Sequence, residues 1–469
     1  MSIERPATVA DLRASGFPDR SVKDEVRDNL VARLREGRSI VSGIVGYDRT
    51  VVPALERALL AGHDLILLGE RGQAKTRLVR GLVDLLDPEV PVVPDCEIRC
   101  HPLRPVCVVC RELAAEHGEG LPVAWLGRDH RFAEKLATPD ISVADLIGDV
   151  DPIRVAEGRY LADERTIHYG LVPRTNRGIV AVNELPDLPE RIQVALLNVL
   201  EERDVQIRGY LLRLPLDIML VATANPDDYT NRGRIISPLK DRFGAQVRTH
   251  YPAERADEIK IVDAEATPPP TSIAVRTPRW VDEVLAELAA QLRATAEVNQ
   301  RSGVSVRYTI GAHETVVASA VRRAAMAGES QAVPRIVDIW PVVPTALGRV
   351  EFDLLEEGRE EEIVGRCLQR AILGVWRERL GMQDLTGLVE RFDDGLQVSV
   401  GDTMPGEDLL GQFGERIDGL GGWMQALDLD GEDLSAAASA VEFVLEGLHL
   451  ARLVNKDPLA EPTAGVYRA

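Results

Sequence analysis

The chain reads as an α/β protein: a three-layer αβα core on a parallel sheet, then an all-α lid domain, then a mostly helical C-terminal region. Three observations predict this. Short apolar runs at 65–68, 178–183 and 218–224 alternate with stretches of helical periodicity. Strands apolar on both faces belong to a parallel sheet covered on both sides. The run Leu65–Thr76, Leu-Ile-Leu-Leu-Gly-Glu-Arg-Gly-Gln-Ala-Lys-Thr, is a strand, a two-glycine loop and a Lys-Thr pair where a helix begins. From Pro252 onward the apolar spacing becomes that of helices.

Composition bounds the rest. The 469 residues are enough for two or three domains, and 45% hydrophobic content supports cores that must be aliphatic, since aromatics are only 4%. A formal net charge of −20 argues against a general nucleic-acid or anionic-membrane surface. The N-terminus lacks a signal-peptide core and no apolar run spans a bilayer, so no membrane insertion and a cytoplasmic location are expected. Four of the five cysteines fall within 96–110, which in that compartment suggests metal before disulfide.

In chain order, residues 1–40 form a charged N-terminal extension with an amphipathic helix over 22–38. A core domain over 41–252 opens with a helix within 43–61, then the Leu65 strand, then a helix over 77–86 ended by Asp87-Pro88. A second strand is expected at 91–93, a zinc-type insert at 94–112, short helical pieces at 131–136 and 143–147, and a hairpin over 158–168. The strand 178–184 leads to a helix over 188–203, a hairpin over 204–217, the strand 218–225 and a last strand over 245–251. A helical lid over 253–376 holds helices at 279–299, 313–326, 333–346 and 353–376, with Thr267–Thr271 as a stiff proline linker. The acidic region 377–469 contributes one helix over 433–453.

The phosphate-loop reading is chemical. Glycines let the backbone wrap an anion, loop N–H groups donate to it, and the helix N-terminus adds its dipole. Residues Gly69, Glu70, Arg71, Gly72, Gln73, Ala74, Lys75, Thr76 and Arg77 make up this P-loop. Lys75 is expected to reach the β/γ-phosphates and Thr76 to ligate Mg²⁺. Ala74 stands where the usual spacing has glycine, and it is read as tolerating a helical start.

Asn183-Glu184 ends the next central strand. An Asp-Glu pair there would give one Mg²⁺ group and one base; here Asn183 brings no charge, and Glu184 is the candidate base for a water in line with the γ-phosphorus. Asn225, after strand 219–224, is expected to orient the same water, with an Asn-Pro turn as the alternative. Arg242 is the candidate finger toward a neighbouring subunit, the alternative being an ion pair with Asp241. Arg307 is a candidate phosphate contact from the lid. Cys96, Cys100, Cys107 and Cys110 fit one structural Zn²⁺, with His101 an alternative to Cys100 and with redox or simply buried cysteines, or an Fe–S cluster, as the competing readings. Arg203, Arg208 and Arg213 on the 204–214 hairpin line a central pore or form a solvated turn.

Together these motifs resemble the AAA+ ATPases of the magnesium-chelatase subunit I and MoxR group, over roughly residues 40–375. Gly69–Thr76 looks like Walker A, Ile179–Glu184 like Walker B, Thr223-Ala-Asn225 like sensor 1, Pro238–Phe243 like the arginine-finger segment, and the region of Arg307 like sensor 2. Segments 145–152 and 158–170 look like the helix-2 insert of this group. The run 183–210 is the most specific match. The resemblance implies ATP and Mg²⁺ as ligands, a homo-hexameric ring, and a partner with a von Willebrand factor A domain that is remodelled or loaded with metal. It also implies a subfamily in which a cysteine cluster follows the second strand. Ala74, Asn183 and the cysteine loop depart from the standard motifs. The expected function is therefore an ATP-hydrolysing ring motor of chaperone or chelatase type. Competing readings are a nucleic-acid motor or transcription activator on the same core, and a nucleotide-binding scaffold that hydrolyses little.

Overall fold

Five parallel strands organise the first half of the chain: β1 (Leu65–Leu68), β2 (Phe132–Leu136), β3 (Gly178–Asn183), β4 (Ile218–Ala224) and β5 (Ala245–Arg248). Their order in the sheet is β5-β1-β4-β3-β2. The pleat splits the apolar runs between two cores. Leu65 and Leu67, Ile179 and Ala181, Met219 and Val221 face one core, while Ile66 and Leu68, Val180 and Val182, Leu220 and Ala222 face the other. That is why the strands are apolar at every position. The first core is closed by helices α1 (Val22–Arg35), α2 (Val51–Leu60) and α3 (Lys75–Gly81). The second is closed in part by α4 (Glu190–Glu202), through Ile192, Leu196 and Val199. A short helix α5 (Ser237–Arg242) precedes β5.

The computed structural model describes residues 5–156, 163–202, 205–207, 210–212, 214–226, 235–267, 269–299, 302–353, 356–414, 417–429, 433–458 and 464–469. The chain divides into two compact units, Met1–His250 and Tyr251–Ala469. The second unit is mainly helical: α6 (Arg255–Glu265), α7 (Arg279–Ala294), α8 (Val306–Ala327), α9 (Glu360–Leu380) and α10 (Leu434–Leu450). Trp280 of α7 stacks on Phe443 of α10 at 4.2 Å, so the segment beyond residue 377 shares one core with the helices before it. That segment also holds a three-stranded antiparallel sheet (Val398–Val400, Asn455–Pro458, Gly465–Arg468), which no sequence spacing predicts.

Several expected elements take another form. Residues 132–136, expected as a helical piece, are the edge strand β2, paired in register with β3. Two apolar residues four apart, Phe132 and Leu136, suit a helix, but on an edge strand they lie on one side of the pleat. The strand expected near 91 is real (Glu89–Val92) but pairs antiparallel with Ala124–Gly127, outside the main sheet. Ile167–Tyr169 pairs with Gly148–Val150, not with a near neighbour; residues 157–162 of the expected hairpin lie outside the described residues. The helix expected over 43–61 is confined to α2. The helix expected over 333–346 breaks into Ile336–Ile339 and Val342–Ala346 around Pro341, which has no N–H to continue the ladder.

Candidate functional site

The Gly69–Thr76 loop joins β1 to α3 at the carboxyl end of the sheet, the end where ligands of open α/β sheets lie. Gly69 is required by space: a Cβ there would fall 1.8 Å from Thr249 Oγ1 and 2.2 Å from Gln73 Oε1. Gln73 is buried and braces the loop, its Oε1 accepting from the Glu70 N–H at 3.0 Å and from Thr249 Oγ1 at 2.7 Å. The Tyr47 hydroxyl lies 2.9 Å from the Gln73 carbonyl and 2.8 Å from that of His250, and burial pushes it up to about 12. A cavity of about 380 Å³ opens at the loop, lined by Gly69, Glu70, Gln73, Pro226, Arg248 and Thr249 among others.

Ala74 does not begin the helix in helical conformation. It caps α3 at φ 55, ψ 17, in the left-handed region, and Gly72 also has positive φ. The missing glycine is therefore missing where the backbone calls for one. Lys75 Nζ donates to the Gly69 carbonyl, to the Glu70 carbonyl at 2.8 Å and to Asn225 Oδ1 at 2.9 Å. The loop after β1 and the residue after β4 are thus in direct contact, as adjacent parallel strands allow. Arg71 and Arg77 are exposed, while Glu70 and Thr76 are half-buried.

Glu184 follows β3 with φ 56 and ψ 46, again left-handed. Thr223 of β4 pins it: Thr223 Oγ1 accepts the Glu184 N–H at 3.1 Å and donates to Asn183 Oδ1 at 3.2 Å. The other end of the Asn183 amide donates to Glu134 Oε1 on β2 at 2.6 Å. Strained backbone held by neighbouring strands is common at reactive positions. Thr223 stands in a motif already singled out, but its bridging follows only from the strand order. Nothing in local spacing marks Glu134, because Phe132 and Leu136, four apart, give its stretch a helical pattern.

Arg242, on α5, pairs with Glu201 of α4 and not with Asp241. Arg307 lies in the first turn of α8, exposed, its carbonyl accepting from Arg349 Nη1 at 2.9 Å; it belongs to the second unit. The hairpin strands Val205–Ile207 and Tyr210–Leu212 pair as expected, while Arg203, Arg208 and Arg213 lie outside the described residues.

The four clustered cysteines converge, with all Sγ atoms within 4.8 Å of one another. A tetrahedral ZnS₄ site with bonds of about 2.3 Å needs sulfurs about 3.8 Å apart, and Cys96 and Cys107 are at 4.0 Å. Backbone N–H groups of Cys100, Val106, Cys107 and Cys110 point at the sulfurs at 3.3–3.4 Å. Hydrogen bonds from the neighbouring cysteines pull the Cys96 and Cys100 thiols down, while Cys107 and Cys110 are pushed up. Four thiolates this close repel unless a cation joins them. His101 is not the fourth donor: its Nδ1 accepts from the Leu103 N–H at 3.1 Å and its buried Nε2 lies 3.9 Å from Asp19.

The family model described as "Sigma-54 interaction domain" matches residues 155–239. The magnesium-chelatase subunit ChlI homolog of Methanocaldococcus jannaschii is 28% identical over 207 residues, 42% of this chain and 51% of that protein. The magnesium-chelatase subunit ChlI-1, chloroplastic, of Arabidopsis thaliana is 30% identical over 208 residues, 43% of this chain and 45% of that protein. The chain thus spans about half the length of the curated relatives it matches. A solved complex of magnesium-chelatase subunits BchI and BchD aligns at 20% identity and TM-score 0.35, covering 68% of this chain and 97% of that one, and adds no weight. With its phosphate loop and its β5-β1-β4-β3-β2 sheet, the chain is similar over less than half its length to magnesium-chelatase subunit I proteins.

Proposed function

We propose that the chain binds ATP with Mg²⁺ at Gly69–Thr76 and hydrolyses it, working as a ring motor that remodels or metal-loads a partner protein. The observation that carries this is the meeting of Lys75 with Asn225, one strand away from Glu184. The glycine-only space at Gly69 and the loop's N–H groups suit a polyphosphate. Thr76 would offer a hydroxyl to Mg²⁺, which would supply neutralisation of phosphate charge. Lys75 holds the phosphates, Asn225 orients the attacking water, and Glu184 takes its proton at the carboxylate. Arg242, exposed on α5, suits a finger offered to the next subunit of a homo-hexamer. A partner with a von Willebrand factor A domain follows from the resemblance. Steady-state phosphate release with and without Mg²⁺, alongside sedimentation with ATP, tests the reading: Mg²⁺-dependent turnover by a six-chain species is expected, and release unaffected by EDTA would end it.

The cysteine cluster supports one structural Zn²⁺, which closes a loop too polar to fold alone. Elemental analysis of purified protein should give about one zinc per chain. Because the ligands must be thiolates, acidification should release the metal, and chelation should lower the thermal midpoint. Metal-free protein with an unchanged midpoint would refute the site.

One observation favours a second reading: the match of residues 155–239 to a sigma-54 interaction domain. Nucleotide-dependent capture of sigma-54 RNA polymerase by this chain would favour a transcription activator; no capture would leave the motor reading.

A further inference from the structure

At the end of β3 a phosphate-loop ATPase ordinarily carries an aspartate that holds Mg²⁺ together with the loop hydroxyl. This chain has Asn183 there, which brings an amide and no charge. A carboxylate nevertheless stands beside it, on the neighbouring strand. Glu134 of β2 pairs in register with Ala181, two residues before Asn183, so all three side chains lie on one face of the sheet. That face is the one covered by α3, since Ala181 shares a core with Leu78 and Val79.

Both carboxylate oxygens of Glu134 are held. Oε1 accepts from Asn183 Nδ2 at 2.6 Å, and Oε2 accepts from Arg80 Nε at 2.7 Å. Arg80 is on α3, four residues after Thr76, so the two lie one turn apart on one helix face. Glu134 is therefore fixed between the helix that carries Thr76 and the strand end that lacks the aspartate. Its side chain is 19% exposed against 65% for Arg80. An exposed guanidinium contributes little energy, so the pair aims the carboxylate more than it stabilises the fold.

We propose that Glu134 supplies the negative charge of the Mg²⁺ site in place of an aspartate at 183, with the Asn183 amide linking it to the cation's water shell. The proposal rests on the nucleotide reading above. It makes Glu134 a positioning residue for the cation, acting through Asn183. It also explains how an uncharged strand end is compatible with a cation site: the charge has moved one strand toward the sheet edge.

The test uses the full chain and a fluorescent ATP analogue, mant-ATP, titrated in EDTA and then with increasing Mg²⁺. Mn²⁺ electron paramagnetic resonance in the presence of ATP reports cation occupancy directly. Glu134→Gln should bind mant-ATP in EDTA as the native chain does, yet need about tenfold more Mg²⁺ or Mn²⁺ for half-saturation. Adding Asn183→Asp to Glu134→Gln should restore the native cation requirement, since the charge returns to the strand end. A Glu134→Gln chain with native cation dependence would overturn the proposal, as would a double variant no better than Glu134→Gln alone. If the native chain binds no mant-ATP in either condition, the nucleotide reading itself falls and this proposal with it.

Discussion

Ala74 is where single-residue chemistry and loop geometry meet. Its φ of 55 costs an L-residue about 1–2 kcal/mol relative to a right-handed conformation. Glycine escapes that cost but gives up chain entropy on folding, so Ala74→Gly should stabilise the protein by about 0.5–1 kcal/mol. A rise in the urea midpoint at unchanged slope would show it; a fall would mean the left-handed turn is not strained. The sequence shows that a glycine is missing at 74, but not that the position is left-handed, because the dihedral is set by how Gln73, Thr249 and Tyr47 close the loop. The same holds for Glu184. Its identity as candidate base is legible from an apolar strand ending in Asn-Glu, whereas its left-handed backbone and its tether to Thr223 depend on β4 lying beside β3. Contacts made by strands distant in sequence are not written in local spacing.

At the scale of elements, helix α1 is tied to the turn that leads into β2 by a buried ion pair. Arg131, 1% exposed, donates to Glu25 through Nη1 at 2.7 Å and Nη2 at 2.6 Å. Glu25→Ala would strand a buried guanidinium and should destabilise by about 3–5 kcal/mol in urea unfolding; a loss below 1 kcal/mol would contradict the pairing. Residues 1–40 read as an extension because charge dominates them, yet Val22, Val26 and Leu30 enter the same core as β1. Tyr47 gives a pH test. Its hydroxyl is held up to about 12 against 10.0, so between those values the unfolded chain loses a proton that the folded chain keeps. Stability present below pH 10 should therefore fall by about 2–3 kcal/mol as pH rises to 12, and Tyr47→Phe should flatten that part of the profile. The central strands β1, β3 and β4 were legible because burial on both faces makes them continuously apolar. The edge strand β2, with Glu134 and Lys135 among its five residues, was not, since one open edge relaxes that demand.

At the scale of the whole molecule, two units with separate cores carry the chain. Helical periodicity foretold the second unit's character, but its small antiparallel sheet joins residues near 398 to residues near 467, a pairing no local pattern encodes. Among the described residues no helix is long and apolar enough to cross a membrane. The candidate nucleotide site lies in the first unit, with Lys75 opening α3 after β1, Asn183 and Glu184 at the end of β3 and Asn225 just after β4, and its proposed chemistry is ATP hydrolysis with Glu184 as base. Removing an essential base typically lowers turnover by two to four orders of magnitude. The direct measurement is Mg²⁺-dependent phosphate release and ATP affinity in Glu184→Gln and Lys75→Ala beside the native chain. Glu184→Gln should bind ATP normally while turnover falls at least about a hundredfold, and Lys75→Ala should no longer bind. Native turnover in Glu184→Gln would contradict the assignment of Glu184 as base.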